Sequence, residues 1–271
     1  MCLLFTGCAN SDYSTVCEEK SGLIVPIIMY HGITESEKLR NKYMIPPALF
    51  ESDLQFLKEN GYTTIFVSDL INYFEKGTPL PEKPIILTFD DGYYNNYVYA
   101  FPVLKKYGYK AVISPIGISA DEAETEKYRS SLWSQCKWSE LKEMADAGII
   151  EIGNHTYNLH RIDGDKNGAA KRRSETDAEY EKRLKEDLIT SNQRIKENIG
   201  KTPVVFVYPF GAKSEHTEEI VRSMSFGAIL DCENKINRIS GREDLYHLHR
   251  FLRPDNITGK DFFINKVGLP A

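Results

Sequence analysis

Short apolar runs alternate with amphipathic stretches along most of the chain. Apolar runs bounded by turn residues predict buried strands, and apolar positions at helical spacing predict helices. The predicted strands cover residues 25–31, 62–67, 85–87, 110–115, 149–153 and 202–209. The predicted helices cover residues 46–61, 68–76, 97–107, 138–147 and 179–199. This alternation predicts an α/β fold, a distorted or incomplete (β/α) barrel with parallel strands.

The domain organisation follows from the same pattern. The 271 residues suit one domain with a large core, which we place at residues 23–271. Residues 1–22 differ, with small residues before Cys8 and a polar stretch after it. This pattern is similar to the end of a bacterial lipoprotein signal, although the basic start of such a signal is missing. We therefore expect a signal remnant or lipoprotein tether at residues 1–22, with a frayed apolar N-terminus as the alternative.

The charge balance narrows the range of partners. A net charge of −5 and a pI near 5.8 argue against binding to nucleic acid or to an anionic membrane surface. No apolar run reaches the roughly 18 residues that a membrane-spanning helix needs. The charged segment 163–180 predicts a solvated insertion, and disulfides cannot be inferred from the cysteine usage. We expect a monomer.

Two adjacent carboxylates follow the strand at residues 85–87. Asp90 and Asp91 stand at its end, before the turn residue Gly92. Neighbouring side chains of an extended segment point in different directions, so one carboxylate can bind a metal while the other faces a metal-bound water. Like charges this close are costly without a cation. Asp-Asp-Gly is also an ordinary turn sequence, and that simpler interpretation stays open here.

Two histidines follow the strand at residues 149–153. His155 and His160 lie in one loop, in a chain with six histidines in total. Imidazole is a good ligand for zinc and similar ions, although a single histidine is more often a surface or satisfied polar residue. Their spacing does not place them on one helical face, so the loop must turn to bring both rings to one ion. Together with Asp91 they would form a three-ligand site with an open position, as in catalytic metal centres.

Three segments resemble the motifs of one enzyme family. Residues 88–93, 155–160 and 208–211 are similar to the first three motifs of the polysaccharide deacetylases, the NodB-homology carbohydrate esterases of family four. The similarity covers residues 83–271, and the histidine spacing resembles the poly-N-acetylglucosamine deacetylase branch, whose order is circularly permuted. The resemblance implies that Asp90 is the general base. It also implies a divalent metal, first of all Zn²⁺ with Co²⁺ or Ni²⁺ as alternatives, on Asp91, His155 and His160.

The third motif departs from the family pattern. The resemblance implies that the backbone N–H of Phe210 binds the oxyanion of the reaction. The family often has an arginine two residues before the motif's proline, where this chain has Val207. The partner that orients Asp90 is therefore open, with Arg250 or Arg253 as candidates. Substrate contacts are expected from Tyr208, Pro209, Gly211 and Tyr93.

Two positions compete for the general acid. The family's last motif ends in a histidine, and residues 247–249 fit it loosely through His249. A better match is the apolar strand that ends at His31 and is followed by Gly32, which resembles the opening strand of the permuted members. We therefore expect His31 to be the acid. The simpler alternative is that His31 only ends the strand.

The resemblance implies hydrolysis of N-acetyl groups, with release of acetate. The expected substrate is an N-acetylglucosamine polymer at the cell envelope: peptidoglycan, poly-N-acetylglucosamine or a chitooligosaccharide. Membrane contact is expected only through a lipid on Cys8. Two other functions stay open. One is a carbohydrate-binding barrel that has lost catalysis, which Val207 favours. The other is an amidohydrolase for small cyclic amides, which a deep closed pocket would favour.

Overall fold

The computed structural model describes residues 22–270, so the predicted lipoprotein signal with Cys8 lies outside the described residues. The strands are β1 (Leu23–Val25), β2 (Ile27–Tyr30), β3 (Gly32–Ile33), β4 (Met44–Ile45), β5 (Thr63–Thr64), β6 (Pro84–Asp91), β7 (Ala111–Pro115), β8 (Ile150–Ile152), β9 (Ile162–Asp163), β10 (Lys166–Asn167), β11 (Val205–Val207), β12 (Ala228–Leu230), β13 (Asn237–Ile239) and β14 (Phe251–Leu252). The helices are α1 (Pro47–Glu59), α2 (Val67–Lys76), α3 (Phe101–Tyr107), α4 (Gly117–Thr125), α5 (Trp138–Asp146), α6 (Asp177–Ile199), α7 (Thr217–Arg222) and α8 (Gly259–Asp261).

Parallel strands dominate the structure. Six of them form one sheet in the order β14-β2-β6-β7-β8, with β5 paired to β6. Strands β11 and β12 form a second parallel pair. A parallel bridge between Asn154 and Phe206 joins β11 to the residues after β8, and another joins Leu230 of β12 to Leu248 before β14. The prediction of an α/β fold with parallel strands is confirmed.

Alternating side chains of these strands divide the core into layers. Ile86 of β6 packs in an inner cluster with Ile27 of β2 and Val205 of β11. Ile85 and Leu87, on the opposite face of β6, belong to an outer cluster beneath the helices. Both sheets therefore contribute to one inner cluster, and the carboxyl ends of their strands meet at the same edge.

Two sequence predictions need correction. The segment 163–180 is only partly solvated: Ala169 and Tyr180 are buried, and the Tyr180 hydroxyl donates a hydrogen bond to the Ala169 carbonyl at 2.9 Å. The strand predicted at 62–67 shortens to β5 because α2 begins at Val67, where the Asp69 carboxylate accepts from the Phe66 N–H. No helix within residues 22–270 has the length and apolarity to cross a membrane.

A buried ion pair joins α1 to the residues after β14. Arg253 donates from Nε and Nη2 to the two oxygens of Asp53, at 2.8 and 2.9 Å, and both side chains are 0% exposed. The Tyr30 hydroxyl donates to the same carboxylate at 3.0 Å. Arg253 is therefore paired with Asp53, which excludes it as the partner of the expected base.

We predict that Asp53→Ala destabilises the protein by about 3–5 kcal/mol, because it leaves the Arg253 charge buried and unpaired. The matched control is Asp146→Ala, which removes an exposed pair with Lys142 and should cost at most about 1 kcal/mol. Urea unfolding of both variants measures the difference. Equal stability losses in the two variants would contradict the prediction.

Candidate active site

The expected site residues converge at the shared carboxyl edge of the strands. His31 follows β2, Asp91 ends β6, His155 comes three residues after β8, and Phe210 follows β11. They meet in a pocket of about 440 Å³. Its lining residues are Met29, His31, Tyr43, Asp90, Asp91, Tyr93, His155, His160, Ile162, Phe210, Cys232, Asn234 and Leu252. The structure thus brings together segments that are far apart in the chain.

Three side chains in this pocket form a candidate metal centre. Asp91 Oδ1 lies 3.5 Å from His155 Nε2 and 3.2 Å from His160 Nε2. This carboxylate oxygen is buried and has no hydrogen-bond partner among the described residues. His155 Nδ1 lies 2.9 Å from the carbonyl oxygen of Val207, which directs Nε2 towards Asp91. One carboxylate and two imidazoles, oriented by a backbone carbonyl, fit a divalent ion such as zinc.

The pKa values of the two histidines shift in opposite directions. Burial, together with the nearby His155, lowers the pKa of His160 to about 4, so its ring is neutral at pH 7 and free to act as a ligand. Burial acts to lower the pKa of His155 as well. The hydrogen bond and charge of Asp91 and the charge of Asp90 outweigh this effect, so the pKa of His155 is raised. The carboxylates therefore stabilise positive charge at the point where the two rings meet.

Asp90 forms a buried bidentate pair with Arg250. Arg250 Nη1 donates to Asp90 Oδ1 at 2.6 Å, and Arg250 Nη2 donates to Asp90 Oδ2 at 2.9 Å. The Arg250 side chain is 0% exposed and the Asp90 side chain is 3% exposed. Thr88 Oγ1 accepts from the same guanidinium at 3.2 Å, and the Asp231 carbonyl accepts from its Nε at 2.7 Å. Burial acts to raise the pKa of Asp90, but the charge of Arg250 reverses this and holds it well below its usual range. Asp90 is therefore ionised, and Arg250 is the contact that the sequence left open.

His31 also lines the pocket. Its ring packs against Tyr43, with centroids 4.7 Å apart, and its Nδ1 is buried without a hydrogen-bond partner among the described residues. The His31 carbonyl accepts from Asn96 Nδ2 at 2.7 Å, which ties this segment to the turn after Asp91. Burial lowers the pKa of His31, while the charges of Asp90 and Asp91 act to raise it.

The competing histidine occupies a different environment. His249 Nδ1 lies 3.0 Å from a carboxylate oxygen of Asp231, and His249 does not line the pocket. It borders a separate hollow with His247, whose side chain is 54% exposed. Of the two candidates for the acid, only His31 lines the pocket together with Asp90 and Asp91.

Backbone strain concentrates at this site. Among the described residues four non-glycine residues have a left-handed conformation, and three of them are Asp91 (φ 69°), Thr156 (φ 69°) and Phe210 (φ 60°). Each such residue costs about 1–3 kcal/mol and persists only where its surroundings enforce it. The Phe210 ring packs on His160, with centroids 4.1 Å apart. Its backbone N–H donates to no oxygen of the described residues and stays available to a ligand.

The residues expected to contact the substrate differ in their positions relative to the pocket. Tyr93 lines the pocket, but Tyr208 and Pro209 do not. Tyr208 is 2% exposed and packs edge-on against Phe206. Both belong to a third buried cluster, separate from the inner and outer clusters described above. Gly211 has φ +67°, a turn conformation that side chains rarely adopt.

Several lining residues escaped the sequence analysis. Tyr43, Asn234 and Cys232 come from loops and strand ends with no motif of their own. They are recognisable only once the strands are assembled.

A comparison with known families agrees with this geometry. The family model described as polysaccharide deacetylase matches residues 77–229, more than half of the chain. The chain belongs to the polysaccharide deacetylase family. The family resemblance inferred from the motifs is thereby confirmed.

Relatives of this polysaccharide deacetylase family member have similar sequences and folds. It is 26% identical over 254 residues to the poly-beta-1,6-N-acetyl-D-glucosamine N-deacetylase of Escherichia coli K12, covering 87% of this chain but only 37% of that protein. It is 25% identical to the Staphylococcus aureus protein of the same name, covering 82% and 72% of the two chains.

Solved structures show the same relationship. The de-N-acetylase from Aggregatibacter actinomycetemcomitans aligns with a TM-score of 0.73 and 27% identity, over 86% of this chain and 96% of that one. IcaB from Ammonifex degensii aligns with a TM-score of 0.70 and 25% identity, over 92% and 97% of the two chains. The fold therefore extends over nearly the whole described part of this family member.

We predict that His155→Ala and His160→Ala each abolish retention of a divalent ion, because each removes one of three protein ligands. The matched control is His247→Ala, an exposed histidine outside the pocket. Metal content after dialysis, measured by mass spectrometry, distinguishes them. Full metal content in either pocket variant would disprove the assignment.

We also predict that Arg250→Met destabilises the protein by about 3–5 kcal/mol, because Asp90 then loses its buried counter-charge. Without that charge, burial raises the pKa of Asp90. As the pH is lowered, the variant should therefore lose activity at a higher pH than the wild type does. Arg250→Lys keeps a charge without the bidentate geometry and should be intermediate. The exposed Arg238→Met is the control. An unchanged acid limb in Arg250→Met would refute the coupling.

Proposed function

We propose that this protein is a metal-dependent N-deacetylase that hydrolyses N-acetyl groups of an N-acetylglucosamine polymer and releases acetate. One observation carries the proposal: an ionised aspartate, held by a buried arginine, stands directly beside an Asp-His-His metal triad in one pocket. Membership of the polysaccharide deacetylase family and the names of the relatives support it.

Asp90 acts as the general base. A divalent ion held by Asp91, His155 and His160 would polarise the acetamide carbonyl and lower the pKa of a bound water. Asp90 accepts a proton from the attacking water, and Arg250 keeps its carboxylate ionised and oriented. The water oxygen forms the new bond to the acetyl carbon.

The other pocket groups complete the reaction. The Phe210 N–H donates to the oxyanion that develops on the acetyl oxygen. His31 delivers a proton to the leaving nitrogen as the C–N bond breaks, so that acetate and a free amino sugar result. The charges of Asp90 and Asp91 act to raise the pKa of His31, against the larger effect of burial, which lowers it.

The shape of the pocket favours a polymer over a small cyclic amide. Tyr43 and Phe210 at the rim are 42% and 44% exposed, so the pocket opens to solvent. A hollow of about 710 Å³ adjoins it and shares Asn234 and Leu252 with its wall. Such an open surface offers room for sugar units on either side of the one that reacts.

The non-catalytic alternative has lost its main support. It rested on Val207 in place of an arginine, yet Arg250 supplies a guanidinium to Asp90 from a distant part of the chain. Val207 contributes its carbonyl to His155 instead. A carbohydrate-binding protein without catalysis needs no ionised, oriented carboxylate beside a metal triad.

We further propose that the two parallel sheets close into a distorted (β/α) barrel, with zinc as the resident ion. The bridges at Asn154–Phe206 and Leu230–Leu248 and the shared inner cluster support closure. The ligand set supports zinc. We propose a location at the cell envelope, with the lipid at Cys8 and the domain limit at residue 23 as predictions from the sequence alone.

Acetate release from a substrate panel tests the proposed function. The panel contains chitooligosaccharides, poly-N-acetylglucosamine and peptidoglycan, each with and without added metal. A small cyclic amide is tested alongside them by following the opening of its ring, because its hydrolysis releases no acetate. We expect metal-dependent acetate release from at least one polymer and no turnover of the cyclic amide. Turnover of the cyclic amide alone would overturn the proposal in favour of an amidohydrolase.

Single substitutions test the assigned roles. Asp90→Asn and His31→Ala should each lower turnover by about a hundred- to ten-thousand-fold, the range of general acid–base groups. The loss in His31→Ala should shrink for aryl acetates, whose leaving group needs no proton. His247→Ala and His249→Ala are the controls and should retain activity. If His249→Ala is inactive while His31→Ala is active on N-acetyl sugars, the acid is His249.

Because Asp90→Asn leaves Arg250 buried without a full counter-charge, its stability is measured in parallel by urea unfolding. Rates are compared at a temperature where both proteins are folded. A loss of activity that follows the folded fraction would contradict a role for Asp90 as base.

A further inference from the structure

The loop between His155 and His160 is held by side chains rather than by regular secondary structure. It has four intervening backbone N–H groups, and among the described residues none of them donates to a backbone carbonyl. Each donates to a side-chain oxygen instead: Thr156 to Asn154 Oδ1 at 2.8 Å, Tyr157 to Asp187 Oδ1 at 2.7 Å, Asn158 to Asp187 Oδ2 at 2.8 Å and Leu159 to Thr156 Oγ1 at 3.3 Å. Two of the four N–H groups therefore depend on one residue, Asp187.

Asp187 is the acceptor that comes from outside the loop. It lies on α6, whereas Asn154 and Thr156 belong to the loop or directly precede it. Among residues 22–270 its carboxylate forms no ion pair, and Arg183, one turn earlier on the helix, pairs with Glu175 instead. Each carboxylate oxygen accepts one N–H, which an amide side chain cannot reproduce because half of it is a donor.

The opposite side of the loop is fixed by α4. The Gly117 N–H donates to the Thr156 carbonyl at 3.0 Å, and the Ile118 N–H donates to the Tyr157 carbonyl at 2.9 Å. The loop is therefore held between α4 and α6. A left-handed residue such as Thr156 persists only where its surroundings enforce it, and these contacts supply that support.

We propose that Asp187 is a positioning residue that fixes the separation of His155 and His160 and thereby sets the affinity of the metal centre. It forms no hydrogen bond with either histidine. It acts through the N–H groups of Tyr157, two residues after His155, and of Asn158, two residues before His160. A ligand spacing that suits no helical face needs such external support, and metal affinity depends on the groups that orient the ligands. This inference rests on the metal centre of the proposed function.

Zinc affinity tests this role in the full chain. Asp187→Asn keeps one acceptor oxygen but places a donor against the second N–H. It should weaken Zn²⁺ binding by roughly ten- to hundred-fold in a competition titration with a chromophoric chelator. Asp187→Glu retains both acceptor oxygens and should recover part of this loss. The control is Glu186→Gln, the same chemical change on a neighbouring α6 side chain that is 66% exposed, which should keep the wild-type affinity.

The visible spectrum of the Co²⁺-loaded protein separates positioning from stability. We expect the spectrum of folded Asp187→Asn to differ from that of the wild type, because the ligand geometry changes. If Asp187 only stabilised the fold, Asp187→Asn would unfold at a lower urea concentration while its Zn²⁺ affinity and Co²⁺ spectrum stayed unchanged. That result would overturn the proposal. A wild-type protein that binds no Zn²⁺ would refute the metal centre itself, and with it the inference.

Hydrogen exchange in the wild-type protein gives a test that needs no substitution. If Asp187 positions the loop before an ion binds, the N–H groups of Tyr157 and Asn158 should be protected in both the metal-free and the Zn²⁺-loaded protein. Protection that appears only with Zn²⁺ would show that the ion orders the loop, which contradicts the role of Asp187. If no N-acetyl sugar is hydrolysed, the proposed function fails while the Zn²⁺ titration and the exchange measurement still decide on Asp187.

Discussion

A buried carboxylate without a partner costs several kcal/mol, and Asp90 avoids this cost only through Arg250. Arg250 in turn needs acceptors for its remaining donors, which Thr88 and the Asp231 carbonyl provide. The pair therefore joins β6 to residues near the C-terminal end of the described chain. Moving either residue of the pair would leave a charge unpaired in the interior. The position of the Asp90 carboxylate therefore depends on the packing that holds Arg250 in place.

The residues around this pair extend the same coupling. Asp231 holds His249 through its carboxylate while its carbonyl accepts from Arg250. The Arg250 N–H donates to the Glu233 carbonyl, which aligns the backbone of this segment with the strand end at β12. His249 contacts Asp231 and lies outside the pocket.

The metal triad depends on a different constraint, the left-handed backbone at Asp91 and Thr156. At Asp91 this conformation lets neighbouring carboxylates serve different partners, with Asp90 bound to Arg250 and Asp91 directed to the histidines. At Thr156 it forms the turn between His155 and the rest of its loop. Strain at these points is balanced by the surrounding sheet, so the ligands are positioned before an ion arrives.

The sequence alone determined the α/β alternation, the strand-end positions of Asp90, His155 and His31, and the family to which their spacing belongs. These features depend on local order along the chain, through apolar periodicity and short motifs. The buried position of Tyr208 and the pairing of Arg253 with Asp53 carried no such signal.

Only the tertiary structure decided which arginine pairs with Asp90 and which of the two candidate histidines lines the same pocket. Arg250 and Arg253 are both plausible by sequence, and both turn out to be fully buried in ion pairs. Their partners lie on different elements. The order of residues along the chain does not show on which side of the sheet each arginine lies. Charge pairing across long sequence separations is set when strands assemble, because burial makes each unpaired alternative costly.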